Sequence, residues 1–300
     1  MELAPICLFV YNRPDHTKRV LHALKQNKLS DESILYIFSD GSPEKSSISE
    51  KERILNVRQI IRDEKWCKTV IIEEIDSNNG LVDSIIKGVS KVIQKHGKII
   101  VLEDDIVVSE YFLQYMNDAL VKYADIEKVK QISGFSYPIS EIPKQHSCYF
   151  LPITSTWGWA TWSSVWNEID FECKAFNPKT LDTFLFNFYG SYNYSKLLKK
   201  QMVGGRAESW GIKFYFNVFI QNGLVLYPDI SLVQNIGWDN SGNHKTYYKL
   251  YPSLDFIDKY KIDVFPDLKI KKEYINLNVT FLKRTNSRLA KVLKVIKNIF

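Results

Sequence analysis

Three hundred residues, 45% hydrophobic and 14% aromatic, suffice for one large or two modest folded domains and exclude a low-complexity chain. Forty Lys and Arg against 34 Asp and Glu give a formal charge of +6, which suits phosphate or an anionic membrane. The cations are interspersed with acids and no helix-turn-helix, RNA-binding or zinc-finger pattern occurs, so nucleic acid is not an expected partner. Cys7, Cys67, Cys148 and Cys173 lack C-x-x-C spacing and read as free thiols, and the apolar run from Ala4 to Tyr11 is too short for a signal peptide or spanning helix. The expected location is therefore cytoplasmic.

Pro5 to Tyr11 predicts a buried strand, which Asn12-Arg13-Pro14-Asp15 turns into a helix with Val20, Leu21 and Leu24 inward. A second strand, Ser33 to Phe38, ends in the turn formers Ser39-Asp40-Gly41-Ser42-Pro43. Ser47 and Glu50 stand at capping-box spacing before a helix whose apolar face is Ile54, Val57 and Ile61. Strand three, Thr69 to Ile75, leads through Asp76-Ser77-Asn78-Asn79-Gly80 into the most amphipathic helix, with Val82, Ile85, Ile86, Val89, Val92 and Ile93 at i, i+3, i+4, i+7, i+10 and i+11.

The fourth strand runs from Lys98 into Glu103-Asp104-Asp105 and a second apolar run, Ile106 to Val108; the next helix turns Phe112, Met116, Ala119 and Tyr123 inward. Alternating strands and helices predict an α/β domain with a parallel sheet and right-handed crossovers. The polar strand ends then share one edge, where such sheets bind ligands. Three adjacent carboxylates repel unless a cation, water or hydrogen-bond donors compensate them. A divalent cation with hard oxygen ligands is one solution, and a solvated acidic start to the next helix is the other. Beyond about residue 130 the regularity fails in a Trp- and Tyr-rich stretch that suits a second ligand's surface. The expected organisation is 1–130 as an α/β half with a nucleotide-sized site, 131–275 as a second-ligand half of the same domain, and 276–300 as a basic amphipathic tail.

The run Val101-Leu102-Glu103-Asp104-Asp105-Ile106-Val107-Val108-Ser109-Glu110-Tyr111-Phe112 resembles the Glu-Asp-Asp form of the DxD motif in GT-A glycosyltransferases, in the branch of N-acetylglucosaminyltransferase I and its bacterial relatives. The resemblance spans roughly residues 4 to 244. It implies a GT-A, Rossmann-like nucleotide-diphospho-sugar transferase fold, with Asp105 on Mn2+ or Mg2+ and Glu103 and Asp104 on donor sugar and ribose. By the same resemblance Asn12 and Arg13 meet base or phosphate, Asp40 accepts from the base, and Asn79-Gly80 lets the nucleotide approach a helix amino terminus. Trp157-Gly158-Trp159 resembles the family's Gly-Trp segment and offers aromatic faces to a sugar. Glu208-Ser209-Trp210-Gly211 resembles the catalytic-base segment, with Gly211 where an acid is usual, leaving Glu208 as the base. His244 closes a segment resembling the bacterial relatives' terminal histidine and is a candidate metal ligand.

The implied reaction is inverting transfer of a sugar from a nucleotide diphosphate, UDP favoured, to a hydroxyl of a glycan or lipid-linked acceptor. Nucleotidyl transfer is the rival, although the turn at Asn12-Arg13-Pro14-Asp15 lacks the glycine-rich phosphate loop that chemistry uses. A non-catalytic carbohydrate-binding protein is the third reading. The tail from Arg284 to Phe300 alternates lysines with Leu289, Val292, Leu293, Ile296, Ile299 and Phe300. That pattern suits an interfacial helix on an anionic membrane, or equally a helix packed on the protein itself.

Overall fold

The computed structural model describes residues 2–203, 209–239 and 258–287. Strands β1 (Ile6–Val10), β2 (Ile34–Ser39), β3 (Thr69–Glu74) and β4 (Lys98–Glu103) alternate with helices α1 (Pro14–Lys25), α2 (Ile48–Asp63) and α3 (Leu81–His96). All four strands are parallel, in the order β3-β2-β1-β4. β1 is apolar throughout because both faces are covered: Ile6, Leu8 and Val10 pack with Val20, Leu21 and Leu24 of α1, while Cys7 and Phe9 pack with Ile85, Val89 and Val92 of α3. Ser47 caps α2 by accepting the Glu50 N–H at 3.1 Å, as the spacing predicts. The Glu50 carboxylate does not return the bond to Ser47; it accepts from Tyr11 Oη at 2.9 Å and Asn12 Nδ2 at 3.2 Å.

The second half comprises β5 (Ile106–Val108), α4 (Phe112–Lys122), β6 (Val129–Ser133), β7 (Cys148–Leu151), β8 (Trp159–Trp162), the single-turn α5 (Ser163–Trp166) and α6 (Thr183–Phe186), α7 (Tyr194–Met202), α8 (Trp210–Ile220), β9 (Leu224–Pro228), β10 (Val233–Asn235) and α9 (Lys272–Asn286). These strands extend the same sheet to β3-β2-β1-β4-β8-β6-β9-β7. β8 inserts antiparallel between β4 and β6, β7 is antiparallel to β9, and β6 runs parallel to β9. The protein thus has a mainly parallel, Rossmann-like α/β architecture, with a less regular second half sharing one sheet with the first.

Because β8 runs against β4, its start lies at the carboxyl end of β4, so residues 154–158 join the edge formed by the ends of β1 to β4. A separate two-stranded pairing of β10 with β5 brings residues 236–239 to the same place.

The expected start of the tail at 276 falls within a helix. α9 begins at Lys272 and buries Ile275, Asn278 and Leu282, a one-sided i, i+3, i+7 face that belongs to the folded body. Residues 288–300, with most of the basic amphipathic pattern, lie outside the described residues. Among the described residues no helix is long and apolar enough to cross a membrane. All four cysteines are free and buried.

Candidate functional site

The acidic turn Glu103-Asp104-Asp105 leaves β4 at the sheet's carboxyl edge, and Arg13 leaves β1, its parallel neighbour, at the same level. The strand pairing alone therefore brings together groups 91 and 92 residues apart. Arg13 Nη2 donates to Asp104 Oδ1 and Nη1 donates to Asp105 Oδ2 at 3.0 Å. Both pairs are largely screened from water, with side-chain exposures of 16% for Arg13, 6% for Asp104 and 14% for Asp105. Burial raises the Asp104 carboxyl against the lowering pull of Arg13. Burial, reinforced by the charges of Asp105 and Asp104 and opposed by that of Arg13, pushes Glu103 up to about 8.

The β5 and β10 pairing lays Ile236-Gly237-Trp238-Asp239 over this cluster. Ile236 N–H donates to the Asp105 carbonyl at 2.8 Å. Gly237 is as close as backbone can come: a Cβ there would collide with Asp105 Oδ2 and stand 3.0 Å from Arg13 Nη1. His16, one helical turn beyond Arg13, places Nε2 3.2 Å from the Ile236 carbonyl and 3.3 Å from Asp239 Oδ2. Trp238 meets Trp157 edge to face, ring centroids 5.9 Å apart, and Trp157 packs on Phe135 at 4.7 Å. Sequence reasoning assigns no role to His16, Gly237 or Trp238. The available signal was weak: an i+3 offset from Arg13 and a lone glycine in a loop.

Trp157 is partly exposed and remains a candidate sugar contact. Trp159 is corrected to core: it has no exposed surface and packs on Trp166 at 5.8 Å and Trp210 at 5.1 Å. Gly158 is also corrected. It is buried in the left-handed region with φ +58°, its carbonyl accepts from Gly134 N–H at 2.7 Å, and a Cβ would press on Val233 Cγ1. It serves close packing under β10 and presents no surface to a ligand.

Asp40 is buried and ties down the turn that enters α3, accepting from the N–H groups of Asn79 at 3.1 Å and Gly80 at 3.1 Å and from Ser84 Oγ at 3.2 Å. Asn79 and Gly80 thus lie at the edge, as expected, with their amides turned to Asp40. Gly80 takes φ +79°, which favours glycine. Gly41 is needed for a different reason: a Cβ would strike the Asp76 carbonyl. Asn12 sits beside Arg13 with its amide on Glu50.

Glu208 and His244 lie outside the described residues. The residues that follow Glu208 are described: Ser209 N–H donates to Gln201 Oε1 at 2.8 Å, Trp210 is buried against Trp159, and Gly211 fits against Thr156, whose Cγ2 would be 2.7 Å from an added Cβ. A side chain at this place would have to displace Thr156.

Among the described residues no group of three His, Cys, Asp or Glu could hold a metal by itself. Asp105 nonetheless suits a shared cation. It lies at the site's edge, and among the described residues its carboxylate is bonded through Oδ2 to Arg13. A magnesium-like ion commonly takes one or two protein carboxylates and completes its shell with phosphate and water.

No family model matches the chain, and no curated protein matches it either. Similar solved structures exist. TarS of S. aureus is 10% identical, with 73% of this chain and 43% of TarS covered at a TM-score of 0.39. Mouse xyloside xylosyltransferase 1 is 10% identical, covering 73% and 81% at 0.35, and a UDP-glucose pyrophosphorylase bound to UDP-glucose is 11% identical, covering 56% and 79% at 0.30. The chain spans under half the length of TarS. At such scores the assignment of fold rests on the strand order above, and the chemistry rests on the residues.

Proposed function

We propose that this protein is a glycosyltransferase moving a hexosyl or N-acetylhexosaminyl group from a nucleotide diphosphate sugar, UDP-linked by preference, to a hydroxyl of a glycan or lipid-linked saccharide. The observation that supports this most is the Arg13, Glu103, Asp104 and Asp105 cluster at the carboxyl edge of a parallel sheet, walled by Trp157 and Trp238. An arginine fork suits phosphate, and the carboxyl groups of Glu103 and Asp104 suit hydroxyls of sugar and ribose. Asp105, with His244, would hold Mn2+ or Mg2+ against the diphosphate; a bound cation supplies charge neutralisation of the departing group.

In the proposed reaction Glu208 takes the acceptor hydroxyl's proton as its oxygen bonds the anomeric carbon, the bond from that carbon to the diphosphate breaks, and the configuration inverts. Such general-base assistance contributes on the order of 10²- to 10⁴-fold. A cytoplasmic enzyme held at an anionic membrane by residues 288–300 would meet a lipid-linked acceptor. The nucleotidyl-transfer rival is disfavoured by Asn12-Arg13-Pro14, a turn without glycine.

Thermal shift across nucleotides and nucleotide sugars tests the reading, since a ligand of the native state stabilises it by mass action. A UDP-sugar is expected to raise Tm, and Glu208→Gln is expected to keep that shift while abolishing transfer. Stabilisation by nucleoside triphosphate plus sugar phosphate instead would favour the rival, and no nucleotide effect would refute both.

A further inference from the structure

The acidic turn already contains a cation. Arg13 bonds Asp104 and Asp105 at once, and its backbone is pinned: its carbonyl accepts the N–H and the Oγ1 of Thr17, both at 2.9 Å, at the start of α1. Asp105 is held equally firmly through its carbonyl by Ile236 N–H. Gly237 closes over the pair so tightly that a methyl would not fit. A divalent cation arriving alone at Asp105 would find no three-donor set among the described residues, and would face a guanidinium 3.0 Å from the oxygen it seeks. Repulsion between like charges across a few ångströms of partly dehydrated space is strong, and separating Arg13 from two buried carboxylates costs further. A diphosphate reverses the balance. It adds negative charge, completes the cation's shell with phosphate oxygens, and offers the guanidinium fork an acceptor of the same geometry as the carboxylate it leaves.

We infer that Arg13 is the resident counter-cation of the acidic turn and bars Asp105 from taking up a free divalent cation until a nucleotide diphosphate is bound. The inference rests on the glycosyltransferase reading for the identity of the diphosphate, and makes Arg13 a positioning residue that enforces the order of binding.

The test is Mn2+ titration of the full chain followed by the electron paramagnetic resonance of the free ion, with and without UDP. Wild-type protein alone is expected to leave Mn2+ free over the range in which protein with UDP binds one equivalent, a difference of at least about tenfold in affinity. Arg13→Gln is expected to narrow that difference by raising the affinity for Mn2+ without UDP above that of wild type, and to lose the gain again when Asp105→Asn is added, whereas Arg13→Lys, keeping the charge, behaves as wild type. Equal Mn2+ affinity of wild-type and folded Arg13→Gln protein without UDP overturns the inference. If Arg13→Gln shows no cooperative melt, the wild-type comparison decides: affinity independent of UDP overturns it. Should UDP fail to stabilise or bind at all, the glycosyltransferase reading falls, while the comparison of Arg13 variants without nucleotide still settles the role of Arg13.

Discussion

Gly237→Ala isolates the contact between the 236–239 segment and the acidic turn. Gly237 is not in the left-handed region, so alanine can adopt its backbone and the effect is steric. The added Cβ would collide with Asp105 Oδ2, lie 3.1 Å from Asp105 Cγ and 3.0 Å from Arg13 Nη1. Two reliefs are available. If the Asp105 carboxylate swings away, its charge-assisted bond to Arg13 is lost, about 1.5–3 kcal/mol before some screening at 14–16% exposure. If the segment lifts instead, the Ile236 N–H bond to Asp105 is lost, about 1 kcal/mol. The expected cost is therefore about 1–2 kcal/mol, a fall in Tm of a few degrees for a chain of this size. Differential scanning calorimetry reads the first effect. Isothermal titration with UDP and Mn2+ reads the second, where displacing the Asp105 oxygen should weaken binding about tenfold, since 1.4 kcal/mol is one decade. A Gly237→Ala protein that melts and binds as wild type would show that the segment does not rest on the acidic turn.

Asp40→Ala leaves the N–H groups of Asn79 and Gly80 and the Ser84 hydroxyl without this acceptor and should cost about 1–2 kcal/mol, with faster amide exchange centred on Asn79 and Gly80. Unchanged exchange there would refute the role of Asp40 in holding the turn. Glu103 binds its proton more tightly folded than unfolded, with the folded value near 8. Its stabilising contribution is thus complete below the ordinary carboxylate range and is lost as pH rises through about 8, so urea melts should weaken from pH 5 to pH 8. Glu103→Gln should flatten that slope, and a slope unaltered by the substitution would remove Glu103 as its source.

Local pattern was enough for the first half of the fold. Apolar runs at β1, β2 and β4, the six-position face of α3 and the Ser47 cap are encoded in neighbouring residues, so strand, helix and crossover followed from periodicity. The acidic turn and Arg13 were legible for the same reason, because parallel strands deliver their carboxyl ends to one edge. The second half was not. β8 is four residues whose antiparallel seat between β4 and β6 depends on pairing with residues 98–101, far away in the chain, and nothing local encodes that partner.

The same limit divided the tryptophans. Trp157 and Trp159 are alike in sequence, but Trp159 lies inside β8 and packs on Trp166 and Trp210, while Trp157 precedes the strand, across the left-handed turn at Gly158, and meets Trp238. Asp40 shows that residue type settles less than its surroundings: an acid after a strand suits a base contact or a bond to nearby backbone, and here the amides of the turn before α3 take it. The amino-acid sequence by itself determined the α/β class, the parallel strands and the acidic edge, which need only local patterning and chain direction. Only tertiary structure decided that Gly237, Trp238 and His16 belong to the site and that Arg13 spans two carboxylates, because those contacts exist only once β10 pairs with β5 and β1 with β4.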